Sequence, residues 1–450
     1  MNRTRARRLI TSSAALVLCT GLVMVGSSVV TAGATTKVPG VTSKSITIGA
    51  TVPLTGLAAP GYSEIAKSAD AVFKYVNSKG GVNGRKINYV LKDDCYDTPG
   101  LGCTGVPNTV TQTHALLSIP VFATVGSLGT PTQDSVRSLL KANGVPQLFV
   151  NSGSTDWNNP SQYPGLFGWQ PSYTAEAKIF AKYINATYPG ANVCFLGQSD
   201  DVGTDGLAGL IGAPGAEGVT PTVTDFYSVD ALVATNGASV GQYISAFQSA
   251  KCTVVVLYTI PGATDAVIGA ALQLGYSPHW VISNIGSDPV TVFAPLSAKG
   301  LTQDPEIGAV SFSWLPATTS GSPWIPLMRT LMTKYYPGFT SATPLDGNME
   351  YGISWGVAFV EALKAAGRNF TRASFLKTLT STTFTQTPSL LPLRYTAGDH
   401  QGLDGGYLTS VTSATAVTPL TGTVYQTNSA PSGPVTVTAK SSAAIPTWLK

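Results

Sequence analysis

Apolar, β-branched runs alternate along this chain with loops rich in glycine or hydroxyls. Segments whose apolar residues recur at three-and-four spacing follow them, the layout of parallel βα units covered on both faces. Residues 46–52 predict a first strand and Pro53-Leu54-Thr55-Gly56 its loop. Over 64–77, Ile65, Ala69, Val72, Phe73 and Val76 share one helical face, and Gly80-Gly81 ends the helix. Strands are predicted over 86–91, ending at Asp93-Asp94; over 121–125, running into Gly126-Ser127-Leu128-Gly129-Thr130; and over 147–150, running into Asn151-Ser152-Gly153-Ser154-Thr155. These loops leave the carboxyl ends of strands, where open α/β sheets bind ligands.

A second set begins after the aromatic and proline-containing stretch 169–173. It reads as a helix over 176–188, strands over 192–196 and 223–227, a helix over 240–250, and strands over 253–258 and 280–283. This is a second α/β lobe. A crossing strand over 307–314, helices over 326–335 and 347–366, and a Thr-, Ser- and Val-rich tail with strand-like alternation beyond Gly398 complete the reading.

The first 34 residues read as a signal peptide, with Arg3, Arg5, Arg7 and Arg8 ahead of an apolar stretch and Ala32-Gly33-Ala34 as the cleavage site. The apolar stretch is too broken by Thr, Ser and Gly for a spanning helix, and Leu18 before Cys19 does not suit lipidation, so export without a lipid anchor is expected. The chain holds 27 Lys and Arg against 23 Asp and Glu. Four of the cations lie in that segment, so the remainder is formally neutral. With no basic cluster elsewhere, a nucleic-acid partner is excluded. The roughly 415 remaining residues exceed what one core accommodates.

Cys95, Cys103, Cys194 and Cys252 remain, an even count that in an exported chain predicts disulfides, Cys95 with Cys103 and Cys194 with Cys252. A zinc site would want closer ligand spacing or a nearby histidine, and His114, His279 and His400 supply none, so no metal or cofactor is expected.

The search for catalytic motifs is negative but for Gly237-Ala238-Ser239-Val240-Gly241, which matches a serine-hydrolase elbow and would need a preceding strand and a later histidine. The competing reading is a helix-capping box of Ser239 with Gln242. Thr130 and Thr155 each stand where a helix can begin, in loops suited to holding a carboxylate or carbonyl.

Three segments carry a resemblance: 46–56 (Ile-Thr-Ile-Gly-Ala-Thr-Val-Pro-Leu-Thr-Gly), 80–86 (Gly-Gly-Val-Asn-Gly-Arg-Lys) and Asp93-Asp94-Cys95. They resemble the opening of the leucine/isoleucine/valine-binding-protein family of type I periplasmic solute-binding proteins, and the order of elements extends the likeness along nearly the whole chain beyond the leader. The resemblance implies two Rossmann-like lobes with central parallel sheets joined by a three-crossing hinge, 44–169 plus 317–385 as one lobe and 170–316 plus 386–450 as the other. It implies Thr130 as the hydroxyl for a ligand carboxylate, Thr155 as its backbone and hydroxyl partner, and Gly153 as a carbonyl for a ligand ammonium. Tyr62, Leu128 and Gly129 would form the side-chain wall. The family's aromatic falls near Val202 and its tyrosine near Ile260, with Tyr258 as substitute. Its acidic partner for the ammonium falls at Asn284, which argues against an α-amino acid; Asp288 and Asp201 are the alternative acids. The third-strand cysteine of the family is replaced by Gly129.

The expectation is a monomeric, non-enzymatic solute receptor that hands an amino acid, amide or small carboxylate to the permease subunits of an ABC importer. A sensing ectodomain on the same fold and an exported serine hydrolase are the alternatives.

Overall fold

In the computed structural model, which describes residues 37–98, 103–298, 300–301, 304–441 and 443–450, the expected strands assemble into two sheets. The expected leader lies outside the described residues.

The first sheet has the order β2-β1-β3-β4-β5, all parallel. Its strands are β1 (Ser45–Val52), β2 (Lys86–Asp93), β3 (Thr124–Val125), β4 (Gln147–Val150) and β5 (Leu166–Gly168). Burial on both faces accounts for the near-continuous apolar run of β1. Helices α1 (Ala59–Ser78), α2 (Thr109–Leu117) and α3 (Thr130–Ala142) connect these strands. The second of these was not legible in the sequence, since its buried residues include Thr109 and Thr113 and its apolar stripe is thin.

The second sheet has the order β15-β14-β13-β10-β9-β8-β6-β7. Five parallel strands, β6 (Val193–Gln198), β7 (Val223–Tyr227), β8 (Val254–Tyr258), β9 (His279–Ile282) and β10 (Val310–Ser313), are extended by antiparallel β13 (Gly405–Ser413), β14 (Ala416–Gln426) and β15 (Thr436–Thr438). The connecting helices are α4 (Tyr173–Thr187), α5 (Asp201–Ile211), α6 (Val229–Ala234), α7 (Gly241–Ser249), α8 (Pro261–Gln273) and α9 (Pro289–Ala298). Between β10 and β13 the chain returns to the first lobe as α10 (Trp324–Tyr335), α11 (Gly347–Ala366) and α12 (Arg372–Ser381), and closes a small ribbon of β11 (Thr383–Phe384) with β12 (Leu393–Arg394).

The strands are joined by three passages between the sheets, after β5, after β10 and before β13, and the last residues then turn back. Trp324 donates its indole N–H to the Ala443 carbonyl at 2.8 Å, Tyr75 donates to the Trp448 carbonyl at 3.2 Å, and Trp448 donates to Glu361. The tail expected wholly in the second lobe therefore ends against α1, α10 and α11 of the first, where Trp448 gains ring contact with Tyr75.

Close packing of α1 on α11 fixes one wall of the cleft. A side chain at Gly352 would collide with the Ile65 carbonyl, and one at Gly356 would lie 3.2 Å from the Ala69 Cα. Two glycines four residues apart thus let the helix backbones approach and bring the start of α11 beside Tyr62 and Ile65.

Both expected disulfides are formed, Cys95–Cys103 and Cys194–Cys252, each with Cα atoms 5.8 Å apart. The first packs on Gly56, where a side chain would collide with both sulfurs. The hydrolase elbow is not formed. Helix α6 rather than a strand precedes Ser239, and His400 is held elsewhere, its Nδ1 2.8 Å from the Leu166 carbonyl and its ring stacked on Phe167. Nor is the capping box: Ser239 lies in a 3-10 turn, Ala238–Val240, where its N–H is capped by the Thr235 hydroxyl.

Candidate ligand-binding site

Where the carboxyl ends of the two sheets face each other, a cavity lies between the lobes. The first lobe and its returning helix contribute Tyr62, Ile65, Tyr96, Leu128, Gly129, Thr130, Asn151, Gln170, Asn348 and Tyr351. The second contributes Tyr173, Val202, Ile260, Asn284 and Ile285. Among the described residues, no Asp, Glu, Lys, Arg or His lines it.

Six of the nine residues expected at the site, Tyr62, Leu128, Gly129, Thr130, Val202 and Asn284, line this one cavity. Thr130 begins α3 behind Gly129, whose φ of +114° turns the chain into the helix. Its hydroxyl lies 2.7 Å from the Ser152 hydroxyl and 3.3 Å from that of Tyr173. Three hydroxyls thus meet at a helix N-terminus, an arrangement that favours a negative or carbonyl oxygen. Burial pushes the Tyr173 phenol up to about 12, so it serves as a donor.

The other three lie elsewhere. Gly153 is beside the cavity, but its carbonyl already accepts from the Tyr173 N–H at 2.8 Å, and a side chain there would press on Tyr173 and Gln170. Thr155 starts only a three-residue turn and grips a carboxylate of the protein itself: its N–H donates to Asp205 at 2.7 Å and its hydroxyl to the other oxygen at 3.2 Å. Tyr258 is fully buried against Gly206 and Phe195, and its hydroxyl donates to the Tyr173 carbonyl at 3.2 Å. Ile260, two residues on, reaches the cavity instead.

Asn284 is tied back rather than free. The carboxylate of Glu176, fully buried in the first turns of α4, accepts from the Asn284 backbone N–H and from its side-chain amide, each at 2.8 Å, and from the Ser283 hydroxyl at 2.7 Å. Burial pushes Glu176 up to about 7, against the opposing pull of these bonds. An acid is thus present one layer behind the position where the resemblance implied one. Asp201 accepts instead from Ser154, and Asp288 lies outside the cavity.

Sequence reasoning missed Tyr96, Asn151, Gln170, Tyr173, Ile285, Asn348 and Tyr351. Tyr96 carries the clearest signal. Cys95, Tyr96 and Asp97 have φ of 50°, 57° and 54°, a left-handed run that non-glycine residues rarely adopt. Asp93 accepts from the Cys95 N–H at 3.0 Å and Asp94 from the Tyr96 N–H at 3.1 Å, while the disulfide closes the segment. The Asp-Asp-Cys cluster thereby holds Tyr96 against the cavity. Two polar atoms of the lining have no hydrogen-bond partner among the described residues, Asn151 Oδ1 and Gln170 Nε2. Their orientation follows from their other ends: Asn151 donates to the Gly126 carbonyl at 3.0 Å and Gln170 accepts from the Tyr351 hydroxyl at 2.9 Å. Among the residues that line the cavity, one acceptor and one amide donor are thus left unsatisfied.

The lobes are closed over this space. Tyr62 donates across it to the Ile285 carbonyl at 2.8 Å, and Ser154 donates to Asp201 at 3.1 Å.

The profile of a family described as periplasmic binding protein matches residues 45–416. No curated protein sequence matches the chain significantly. Solved structures match its fold. A fatty acid ABC transporter substrate-binding protein from Thermomonospora curvata superposes with a TM-score of 0.72 at 20% identity over 85% of this chain and 93% of its own. A branched chain amino acid ABC transporter protein from Thermus thermophilus with bound valine gives 0.67 at 16% over 85% and 96%. A solute binding protein of an ABC transporter from R. palustris in complex with benzoate gives 0.67 at 15% over 88% and 98%.

Proposed function

The chain belongs to the periplasmic binding protein family, and on that premise we propose that it captures a small carboxylate or amide with an apolar body and no ammonium group. It would work outside the cytoplasm as a monomer, delivering that ligand to the permease of an ABC importer. The observation that carries this reading is the lining of the interlobe cavity, drawn from both lobes and without any acidic or basic side chain. A carboxylate or amide carbonyl placed at Thr130 and Tyr173 would accept the hydroxyl proton that their cluster with Ser152 leaves free, Gln170 Nε2 would add an amide donor, and Asn151 Oδ1 would accept from an amide N–H or an acid proton. Ile65, Leu128, Val202, Ile260 and Ile285 supply an apolar wall for the body.

A ligand ammonium would find no carboxylate in this cavity. Desolvating a cation without a charged partner costs several kcal/mol, enough to remove most of the affinity of a small ligand. Benzoate in one structural relative and a fatty-acid assignment in another are of the proposed class, whereas valine in a third is not.

Binding to a panel of aliphatic and aromatic carboxylates and their primary amides, read by calorimetry on the native protein and on Thr130→Ala, tests the reading. A panel member that binds the native protein should bind Thr130→Ala about tenfold or more weakly, for the loss of a donor to a charged oxygen. Equal affinity in the two proteins would remove Thr130 from the site.

A further inference from the structure

Beside the interlobe cavity, and sharing Asn284, Asn348 and Tyr351 with it, lies a second cavity where the strands cross between the lobes. Its chemistry is the opposite of its neighbour's. Asp288 enters from the second lobe, and Asp346 and Glu350 enter from the start of α11 in the first; among the described residues no Lys, Arg or His lines it. Asp346 is engaged as the N-cap of α11, accepting from Met349 N–H at 2.8 Å, and Asp288 accepts from Gly347 N–H at 2.8 Å. Glu350 is different. It is 3% exposed, and its Oε1 has no hydrogen-bond partner among the described residues.

A buried carboxyl oxygen without a donor is costly, and burial pushes Glu350 well up from the ordinary carboxylate range. Two observations point to what would satisfy it. No three acidic, His or Cys groups among the described residues are spaced to hold a metal ion, so the acids are spread over more space than one coordination sphere. The rings of Trp314 and Tyr351, which also line the cavity, meet edge to face with centroids 5.4 Å apart, a surface suited to an alkylated cation.

We propose that this cavity binds an organic cation, a primary amine or diamine, with an ammonium on Glu350 and, in the diamine, the second on Asp288 and Asp346, and its carbon chain on Trp314 and Tyr351. The site is independent of the carboxylate reading of the neighbouring cavity, since it rests on other polar groups. Carboxyls from both lobes would hold one ligand, so its binding would also favour the closed arrangement.

Calorimetric titration of the protein with putrescine and with butylamine, at constant ionic strength set by sodium chloride, tests this. The expected result is saturable binding of at least one amine, weakened about tenfold or more in Glu350→Gln and in Asp288→Asn, and unchanged in Thr130→Ala. Loss of a charge-assisted hydrogen bond sets that scale. Amine heats no greater than those of added sodium, or amine binding that survives intact in Glu350→Gln, would overturn the proposal. If the variants fail to fold, the titration of the native protein with the two amines still decides it.

Discussion

Thr155 and Asp205 join the two lobes by a paired hydrogen bond, the threonine N–H and hydroxyl donating at 2.7 and 3.2 Å to the two oxygens of one carboxylate. Thr155 precedes β5 of the first sheet and Asp205 lies on α5 beside the second, so the pair acts as a latch across the cleft mouth. Removing the carboxylate by Asp205→Ala leaves both donors to water. Such charge-assisted bonds contribute about 1.5–3 kcal/mol when buried and less when half-exposed, as these are. The ligand-free variant should show a larger radius of gyration than the native protein by small-angle scattering. Identical curves would mean that the latch does not hold the lobes.

Stability should fall as the pH rises from about 4.5 to 7.5. Burial pushes Glu176 and Asp94 up to about 7, and Asp200, Asp205 and Asp404 up to about 6. Each folded value lies above the unfolded one, near 4, so the native state binds more protons across this interval and the stabilisation present below it is lost as each group ionises. For fully buried Glu176 the change is on the order of 3 kcal/mol. Thermal midpoints measured across this range should decline, with a shallower slope in Glu176→Gln. A midpoint that climbs with pH, or an unchanged slope in the variant, would contradict this assignment.

The contact of α1 with α11 predicts a large cost for a small change. Gly352→Ala would drive a methyl group into the Ile65 carbonyl. The helices must separate or shift, at a cost of about 1–3 kcal/mol for an overpacked core. Chemical denaturation should show a lower midpoint for Gly352→Ala than for Gly367→Ala, which stands at the exposed end of the same helix with no neighbour in reach. At Gly367 only the positive φ of 74° opposes the substitution, so a greater loss there would show that packing at Gly352 is loose.

Much of the fold could be read along the chain because parallel strands buried on both faces write themselves as apolar runs. Gln147–Val150 and Val254–Tyr258, buried at every position, stand where expected, and α11 spans Gly347–Ala366 as its periodicity predicts. Helices such as α5, with Gly203, Gly206 and Gly209 on its buried face, were not legible, because they pack through backbone rather than through large apolar residues. The site was legible only in part, for a related reason. Thr155 has the chemistry to hold a carboxylate and does so, but its partner lies fifty residues along on the other lobe. Glu176 is hidden because its partner Asn284 is 108 residues away, and nothing local marks a charge as buried. Tyr258 ends β8 and packs against Gly206, away from the cavity, whereas Ile260, in the loop that follows, lines it.

The central claim, that the ligand carries no ammonium, is tested most directly by calorimetric titration with matched pairs that differ in that group alone. Leucine is compared with 4-methylpentanoate, and phenylalanine with 3-phenylpropanoate. With no acid lining the cavity and the Asn284 amide committed to Glu176, the deaminated member of at least one pair should bind, and should do so about tenfold or more tightly than its amino acid. Tighter binding of leucine or phenylalanine than of its deaminated partner would contradict the account.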